Sequence, residues 1–459
     1  MADAATTIAS RVLARKPRAL PSAVASALAD AFLSADVWTT SELIGAGAFV
    51  MGARRRWLAP LVGDIMSALV RPPMDAPRLL TELILQSPAF GEAVRKADER
   101  RSPLRIHHHV VSPSTSRPTP GALASIDSIP DLADLLDLDI GRLQWLADTK
   151  QWNRRARPGP LHHYRYEWRP RPGRIPRLLE IPEERMRRAQ RRLLNSVLGI
   201  VAAGDAAHGF VPGRSARTGA ARHVGSEIVI SLDLTTFFAR VTAGRIYGTL
   251  RQAGYSESVA HVITGLCTNA VPPRTLAAMP PGGSPEERFA LRRALSTSHL
   301  PQGAPSSPML ANLAVRRLDS RLSGWADAAG ATYTRYADDL AFSGGNALAR
   351  RPDAFIRGVQ RIIEDEGHSA NARKTRVRRQ GVRQSVTGIV VNQHVNVSRA
   401  DYDRLKATIH NCVVHGPHTQ NHRRLDDFRA HLLGRISWVE SLNAERGGKL
   451  REEFLRIRW

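Results

Sequence analysis

The stretch TRYADDLAFSGG, residues 334–345, decides the fold. Two short apolar runs flank Asp338-Asp339, so the segment reads as a β-hairpin with the acids at its tip. Strands are expected at Tyr333–Ala337 and Leu340–Ser343. About a hundred residues upstream, EIVISLDLTTFF (227–238) is apolar and β-branched up to Leu232, then places Asp233 at the end of a further strand, Ile228–Leu234. Adjacent acids at a turn are commonly no more than polar turn residues. Here the flanking aromatics, Tyr336 and Phe342, and a matching acid at the end of another strand favour a functional reading.

The chemistry explains such an arrangement. Joining a nucleotide to a 3′ hydroxyl is an in-line phosphoryl displacement. Two Mg²⁺ ions about 4 Å apart activate the attacking oxygen and neutralise charge on the leaving pyrophosphate. Magnesium prefers hard oxygens and keeps waters and substrate phosphates as ligands, so few carboxylates suffice. Acids on adjacent strands hold such ions rigidly.

Around these acids the chain resembles the reverse transcriptases, and the resemblance runs on in order. YADD (336–339), with Asp233 before an aromatic pair, is similar to that family's palm. RPGRIPRLLEIP (171–182) resembles its fingers motif and HGFVPGRSARTGAARH (208–223) the segment after it. LPQGAPSSPMLANL (300–313), GHSANARKTRV (367–377) and SVTGIVVN (385–392) resemble its glutamine-glycine motif, lysine-bearing motif and following hairpin. The likeness covers roughly 122–459. It implies an α+β fold, a right-hand polymerase with fingers, palm and helical thumb, preceded by a helical N-terminal domain. The enzyme would be an RNA-directed DNA polymerase using two Mg²⁺ ions and deoxynucleoside triphosphates.

The same resemblance assigns roles. Asp233 and Asp338 would hold the metals, with Asp339 in support and the Leu234 carbonyl as a backbone ligand. Phe238, five residues after Asp233, matches the steric gate that leaves no room for a 2′-OH; its plain reading is core packing, since Phe237 and Phe238 cannot both face one pocket. Arg177, five residues before Pro182, matches the grip on the triphosphate, for which a guanidinium fork is suited. Gln302 and Gly303 would approach the nucleotide or template, with a proline-stiffened turn as the bland alternative. Lys374 stands out by composition, because the chain has 60 Arg and six Lys. Lysine gives up its proton at useful pH and arginine does not, so Lys374 is expected to donate a proton to pyrophosphate.

Within the family, the retron type is most similar. VTG (386–388) matches a retron signature, and GAARH (219–223) keeps Ala220 and His223 of another, with Gly219 where Asn is usual. Retron enzymes imply a structured non-coding RNA as template-primer, its DNA copy in a branched hybrid, and antiphage defence with an effector or toxin protein partner. The rival readings are another bacterial reverse transcriptase, defence-associated or diversity-generating, and a non-catalytic RNA-binding scaffold.

Composition agrees with a polyanion partner. The 459 residues carry 66 basic and 42 acidic side chains, a net +24. The excess is uneven: residues 1–100 hold twelve Lys/Arg and ten Asp/Glu, while 151–193 hold thirteen Arg against four Glu. Such a local excess suits phosphate contact with counterion release. Cys267 and Cys412 are the only cysteines, too few for a disulfide framework or zinc cluster, and a cytoplasmic location is expected. No apolar run is long enough to span a bilayer, so no membrane partner is expected. The basic, acid-poor start, Met1 to Arg18, reads as a frayed lead-in to a helix rather than a transit peptide.

Residues 1–105 read as a helical module, with an apolar-periodic segment at 22–35 and a capping box of Thr39 with Glu42. His107-His108-His109 and the proline-rich residues after it read as a linker over 106–121. Fingers and palm would occupy 122–399, with a loop insertion and short helix at 280–293 and a helix at 353–366. A thumb would occupy 400–459, with a helix at 401–413. There Arg399, Arg404, Lys406, Arg423, Arg424 and Arg429 would grip a duplex by its phosphates.

Overall fold

The computed structural model describes residues 20–108 and 126–459, apart from 36, 71, 74, 75, 150, 151, 156–158, 160, 161, 201 and 202. The expectations for Met1–Arg18, for His109 and for the rest of the linker to residue 121 lie outside the described residues. The chain divides into two compact units, Met1–Trp152 with Tyr247–Leu266, and Asn153–Ile246 with Cys267–Trp459.

In the first unit, five helices, Pro21–Leu33, Thr40–Val50, Leu58–Ala68, Pro77–Gln86 and Pro88–Glu99, enclose one apolar core. Small residues on Pro21–Leu33 allow close packing: Ala25, Ala29, Leu28 and Phe32 are fully buried. Thr39 accepts the Glu42 amide at 3.4 Å, one half of the expected capping box. His107 and His108 are docked rather than free, since their amides donate to the Val50 carbonyl and His108 stacks on Phe49 at 4.4 Å. The helices Ile140–Ala147 and Glu257–Cys267 pack so closely that a Cβ on Gly265 would strike the Ala147 carbonyl. That close packing explains why 247–266 belongs with this unit despite its distance in sequence. Among the described residues no helix is long and apolar enough to cross a membrane.

The second unit is built on the hairpin read above. β4 (Ala331–Tyr336) and β5 (Asp339–Gly344) pair antiparallel, and β5 pairs with β3 (Ile228–Asp233), which pairs with β6 (Arg376–Arg379). The sheet order is β4-β5-β3-β6, so the acid-bearing strand ends lie side by side. Alternation along β3 sends Ile228, Ile230 and Leu232 to one face, opposite Gly344, Phe342 and Leu340. Phe342 on that face stacks with Tyr333 at 4.8 Å and meets Phe355 edge-on at 5.3 Å. Phe355 belongs to the helix Pro352–Asp365, whose Phe355, Ile356, Val359, Ile362 and Ile363 form one apolar stripe. The opposite face carries Val229, Ser231, Asp233, Asp339 and Ala341. Val229 and Ala341 join the core of three C-terminal helices, Arg399–His415, Phe428–Leu442 and Ala444–Phe454.

A second hairpin pairs β1 (Tyr164–Arg169) with β2 (Arg177–Pro182), and a short one pairs β7 (Ser385–Val386) with β8 (Ile389–Val390). The insertion expected at 280–293 holds a longer helix than foreseen, Pro285–Ser296, opened by a full capping box of Ser284 and Glu287.

Candidate active site

Asp233 lies directly across from Asp339 in the β3–β5 register, and Asp339 across from Tyr336 in the hairpin. Ala337 and Asp338 form a two-residue turn, with Ala337 at φ 54°, a backbone conformation such tight turns require. The turn is fastened to β3, because the Leu234 amide donates to the Asp338 carbonyl at 2.9 Å. Lys374 Nζ donates to Asp233 Oδ1 at 2.6 Å, and the Asn371 amide donates to the Asp233 carbonyl at 2.7 Å. The three acids and the lysine singled out in the sequence are thus brought together.

Their electrostatics are those of a crowded anionic site. Burial raises the Asp338 pKa, and the Asp233 charge adds to that, while Lys374 and Arg177 pull it down. Asp339 is pushed up to about 6, by burial first and then by Asp338 and Asp233. Among the described residues no group of three or more His, Cys, Asp or Glu is arranged so that it could hold a metal ion by itself. The donor set still fits magnesium, which takes hard oxygens and leaves positions for water and phosphate. Mutual repulsion among three carboxylates is what a bound dication relieves.

Arg177 opens β2 and is exposed. Arg171, which the sequence reading missed, also senses the acids: burial and then Arg177 and Arg174 lower its pKa, while Asp233 and Asp338 raise it. As one arginine in a stretch of thirteen, it had no distinguishing mark in sequence. Phe237 is buried, 6.1 Å from the His368 ring, whereas Phe238 is half-buried. The two rings meet edge-on, with centroids 5.4 Å apart, and Phe238 is the more open. The Gln302 carbonyl accepts the Glu180 amide at 2.9 Å. Gly303 has φ 131°, and a Cβ there would stand 2.9 Å from the Glu180 carbonyl oxygen. The close approach that requires glycine in this structure is to β2.

Two buried polar arrangements hold the hairpin. Arg335, 1% exposed, donates Nη2 to Asp319 Oδ2 at 2.7 Å and Nε to Asp319 Oδ1 at 2.8 Å. Its Nη1 reaches Asn312 Oδ1 at 3.0 Å and the Ala337 carbonyl in the turn at 3.1 Å. On the other face His223 bridges both strands, 2.8 Å from Ser343 Oγ and 2.7 Å from Thr334 Oγ1. Burial holds His223 neutral, with a pKa of about 4. A cavity of about 250 Å³ opens on this face, lined by Tyr336, Asp339, Lys374, Arg376, Thr387 and Gly388 among others.

Residues 170–395 match the sequence family described as reverse transcriptase (RNA-dependent DNA polymerase). The chain is 38% identical over 281 residues to the retron Mx65 reverse transcriptase of Myxococcus xanthus, covering 60% of each chain. It is 36% identical to the retron Mx162 reverse transcriptase of the same organism, over 63% of this chain and 59% of that one. Against the retron Ec86 reverse transcriptase of Escherichia coli it is 30% identical, over 50% of this chain and 63% of the other. The matched part thus spans about three fifths of the length of these relatives.

Proposed function

We propose that this chain is a reverse transcriptase of the retron type, an RNA-directed DNA polymerase copying a structured non-coding RNA; the family match over residues 170–395 and the 30–38% identity to retron enzymes support the reading. The observation that carries this reading is the register of Asp233 on Asp339 beside the Asp338 turn, with Lys374 on Asp233. Asp233 and Asp338 would hold two Mg²⁺ ions, with Asp339 and the Leu234 carbonyl completing the protein's share. Bound magnesium supplies activation of the 3′ oxygen and neutralisation of pyrophosphate. The residues do the rest. Arg177 binds the triphosphate, and Gln302 and Gly303 border the nucleotide. Phe238, the more open of the two rings, excludes a 2′-OH. Lys374 moves from Asp233 to the triphosphate and gives its proton to pyrophosphate.

In this reading 122–399 are fingers and palm and 400–459 a thumb. The six basic residues expected to grip a duplex, Arg399, Arg404, Lys406, Arg423, Arg424 and Arg429, are all exposed. Exposed basic side chains are what phosphate contacts along an A-form minor groove need. Residues 1–105 serve an effector or toxin partner or the RNA particle, in defence against phages, and the DNA copy stays joined to its RNA as a branched hybrid.

The test is the nucleic acid extracted from the purified protein after synthesis. It should contain a species that DNase shortens and RNase trims without destroying. Free RNA alone, under conditions that support synthesis, would point to a reverse transcriptase of another type.

A further inference from the structure

The chemistry above leaves unused a fully buried histidine. Both ring nitrogens of His299 face acceptors: Nδ1 lies 2.7 Å from the Thr297 carbonyl oxygen and Nε2 lies 2.9 Å from Glu180 Oε1. A neutral imidazole carries one N–H and satisfies only one of these. The second oxygen of Glu180 is also engaged as an acceptor, from Asn269 Nδ2 at 2.7 Å. An imidazolium opposite an ionised carboxylate satisfies every one of these bonds. The His299 and Glu180 side chains are 0% and 1% exposed. Burial works against charge on the ring, but the Glu180 charge and hydrogen bond outweigh it and raise the pKa. His299 meets Glu180 directly; one hydrogen bond further through Asn269 lies Tyr166 of β1, and the buried Tyr164 of the same strand also senses the Glu180 charge.

The pair sits where three segments of the candidate nucleotide site meet. Glu180 follows Arg177 by three residues on β2, and His299 precedes Gln302 by three. The Glu180 amide donates to the Gln302 carbonyl at 2.9 Å. His299 and Asn269 exchange both backbone bonds, at 2.9 and 3.0 Å. The Leu300 amide donates to the Val241 carbonyl at 3.0 Å, and the Val241 amide to the Phe238 carbonyl at 3.1 Å. The buried ion pair therefore joins the strand bearing Arg177 to the loop bearing Gln302 and Gly303, and the backbone bonds beside His299 tie that loop to the segment bearing Phe238.

We infer that the His299–Glu180 ion pair is a positioning element of the deoxynucleotide site, and that tight nucleotide binding requires His299 in its protonated form. This rests on the polymerase reading. Loss of the proton leaves Glu180 buried without a cation and one His299 acceptor without a donor, so the three segments lose their common register.

The experiment measures KM for deoxynucleotide and kcat separately, on a primed RNA template, from about pH 6 to about pH 9. It uses the full chain as wild type, Glu180→Gln and His299→Gln, with a thermal unfolding midpoint at each pH. Wild-type KM should rise with pH as the ring loses its proton. Both variants should show KM raised at least about fivefold near neutral pH, with kcat changed less and little further rise with pH. A merely structural role would lower the unfolding midpoint without separating KM from kcat. Variants with wild-type KM, or a wild-type KM flat across the range, overturn the proposal. Should the variants fail to fold, the wild-type KM profile decides alone.

Absence of incorporation by the wild type would instead count against the polymerase reading, and the unfolding midpoints would then judge the pair. His299 has a raised pKa in the fold, so its stabilisation is full below the unfolded value of about 6.5 and is lost as pH rises through the folded value. A wild-type margin over Glu180→Gln that shrinks toward alkaline pH supports the ion pair. A margin independent of pH overturns it.

Discussion

Asp319→Asn keeps the shape of a buried side chain and removes its charge. Arg335 is 1% exposed and meets Asp319 fork to fork, at 2.7 and 2.8 Å. Burial opposes the charged guanidinium, and Asp319 first, then Tyr333, nevertheless raise its pKa. Arginine does not shed its proton at any useful pH, so the substitution strands a cation inside the protein. One carboxylate oxygen becomes an amide nitrogen that donates toward a donor. The Tyr333 hydroxyl, which donates to Asp319 Oδ1 at 2.9 Å, still finds an oxygen, so it adds little to the loss. Breaking one side of such a buried pair costs about 3–5 kcal/mol, a large share of the ~5–15 kcal/mol that holds a typical domain folded. Urea unfolding followed by circular dichroism reads the loss as a lowered midpoint. Activity should fall as well, even where the variant stays folded, because Arg335 also holds the Ala337 carbonyl in the turn beside Asp338. A variant within about 0.5 kcal/mol of wild type, the range of an ordinary surface change, would refute the reasoning.

Three further outcomes follow from the same geometry. Lys374→Arg keeps the charge but cannot donate a proton, so single-turnover incorporation should slow by at least about tenfold and its alkaline limb should change; an unchanged rate and profile would leave Lys374 as a plain phosphate contact. Phe238→Ala should raise ribonucleotide use relative to deoxynucleotide use by about tenfold or more, the scale of one steric contact, measured as the ratio of kcat/KM values, and an unchanged ratio would return Phe238 to core packing. Burial holds His163, His223, His261 and His368 at pKa values of about 4. Each favours the neutral form in the fold, so the contribution of these four to stability should be full above about pH 6.5 and decline as pH falls toward about 4, opposite in sign to that of Asp339 and His299; the wild-type margin over His223→Gln should shrink toward about pH 4, and a margin constant over that window would contradict this.

The strands that carry the acids were legible because their chemistry is local. Runs such as IVISL can be buried on both faces only in a central strand, and two acids between short apolar runs have few places to go but a turn. The helix at 353–366 was equally plain, since its apolar stripe has the helical period. The supports of the site were not legible. Arg335 inside a strand reads as a solvated residue until Asp319, on the helix Arg316–Ala328, is brought beneath it. Glu180 and His299 lie 119 residues apart, and nothing in either neighbourhood announces the other. His107 and His108 read as linker because their docking depends on Val50 and Phe49, which only folding brings near. Pairings of this kind are set by tertiary contact, to which periodicity and turn chemistry are blind.

The central claim is that Asp233, Asp338 and Asp339 make this chain a polymerase. Its most direct test is deoxynucleotide incorporation on a primed RNA template in magnesium, by the wild type and by Asp338→Asn, with RNA binding measured alongside. The substitution barely alters volume and removes a metal-binding charge. The wild type should extend the primer, and Asp338→Asn should bind the RNA equally well and extend nothing. Processive extension by Asp338→Asn would contradict the account, as would a folded, RNA-bound wild type that incorporates no nucleotide.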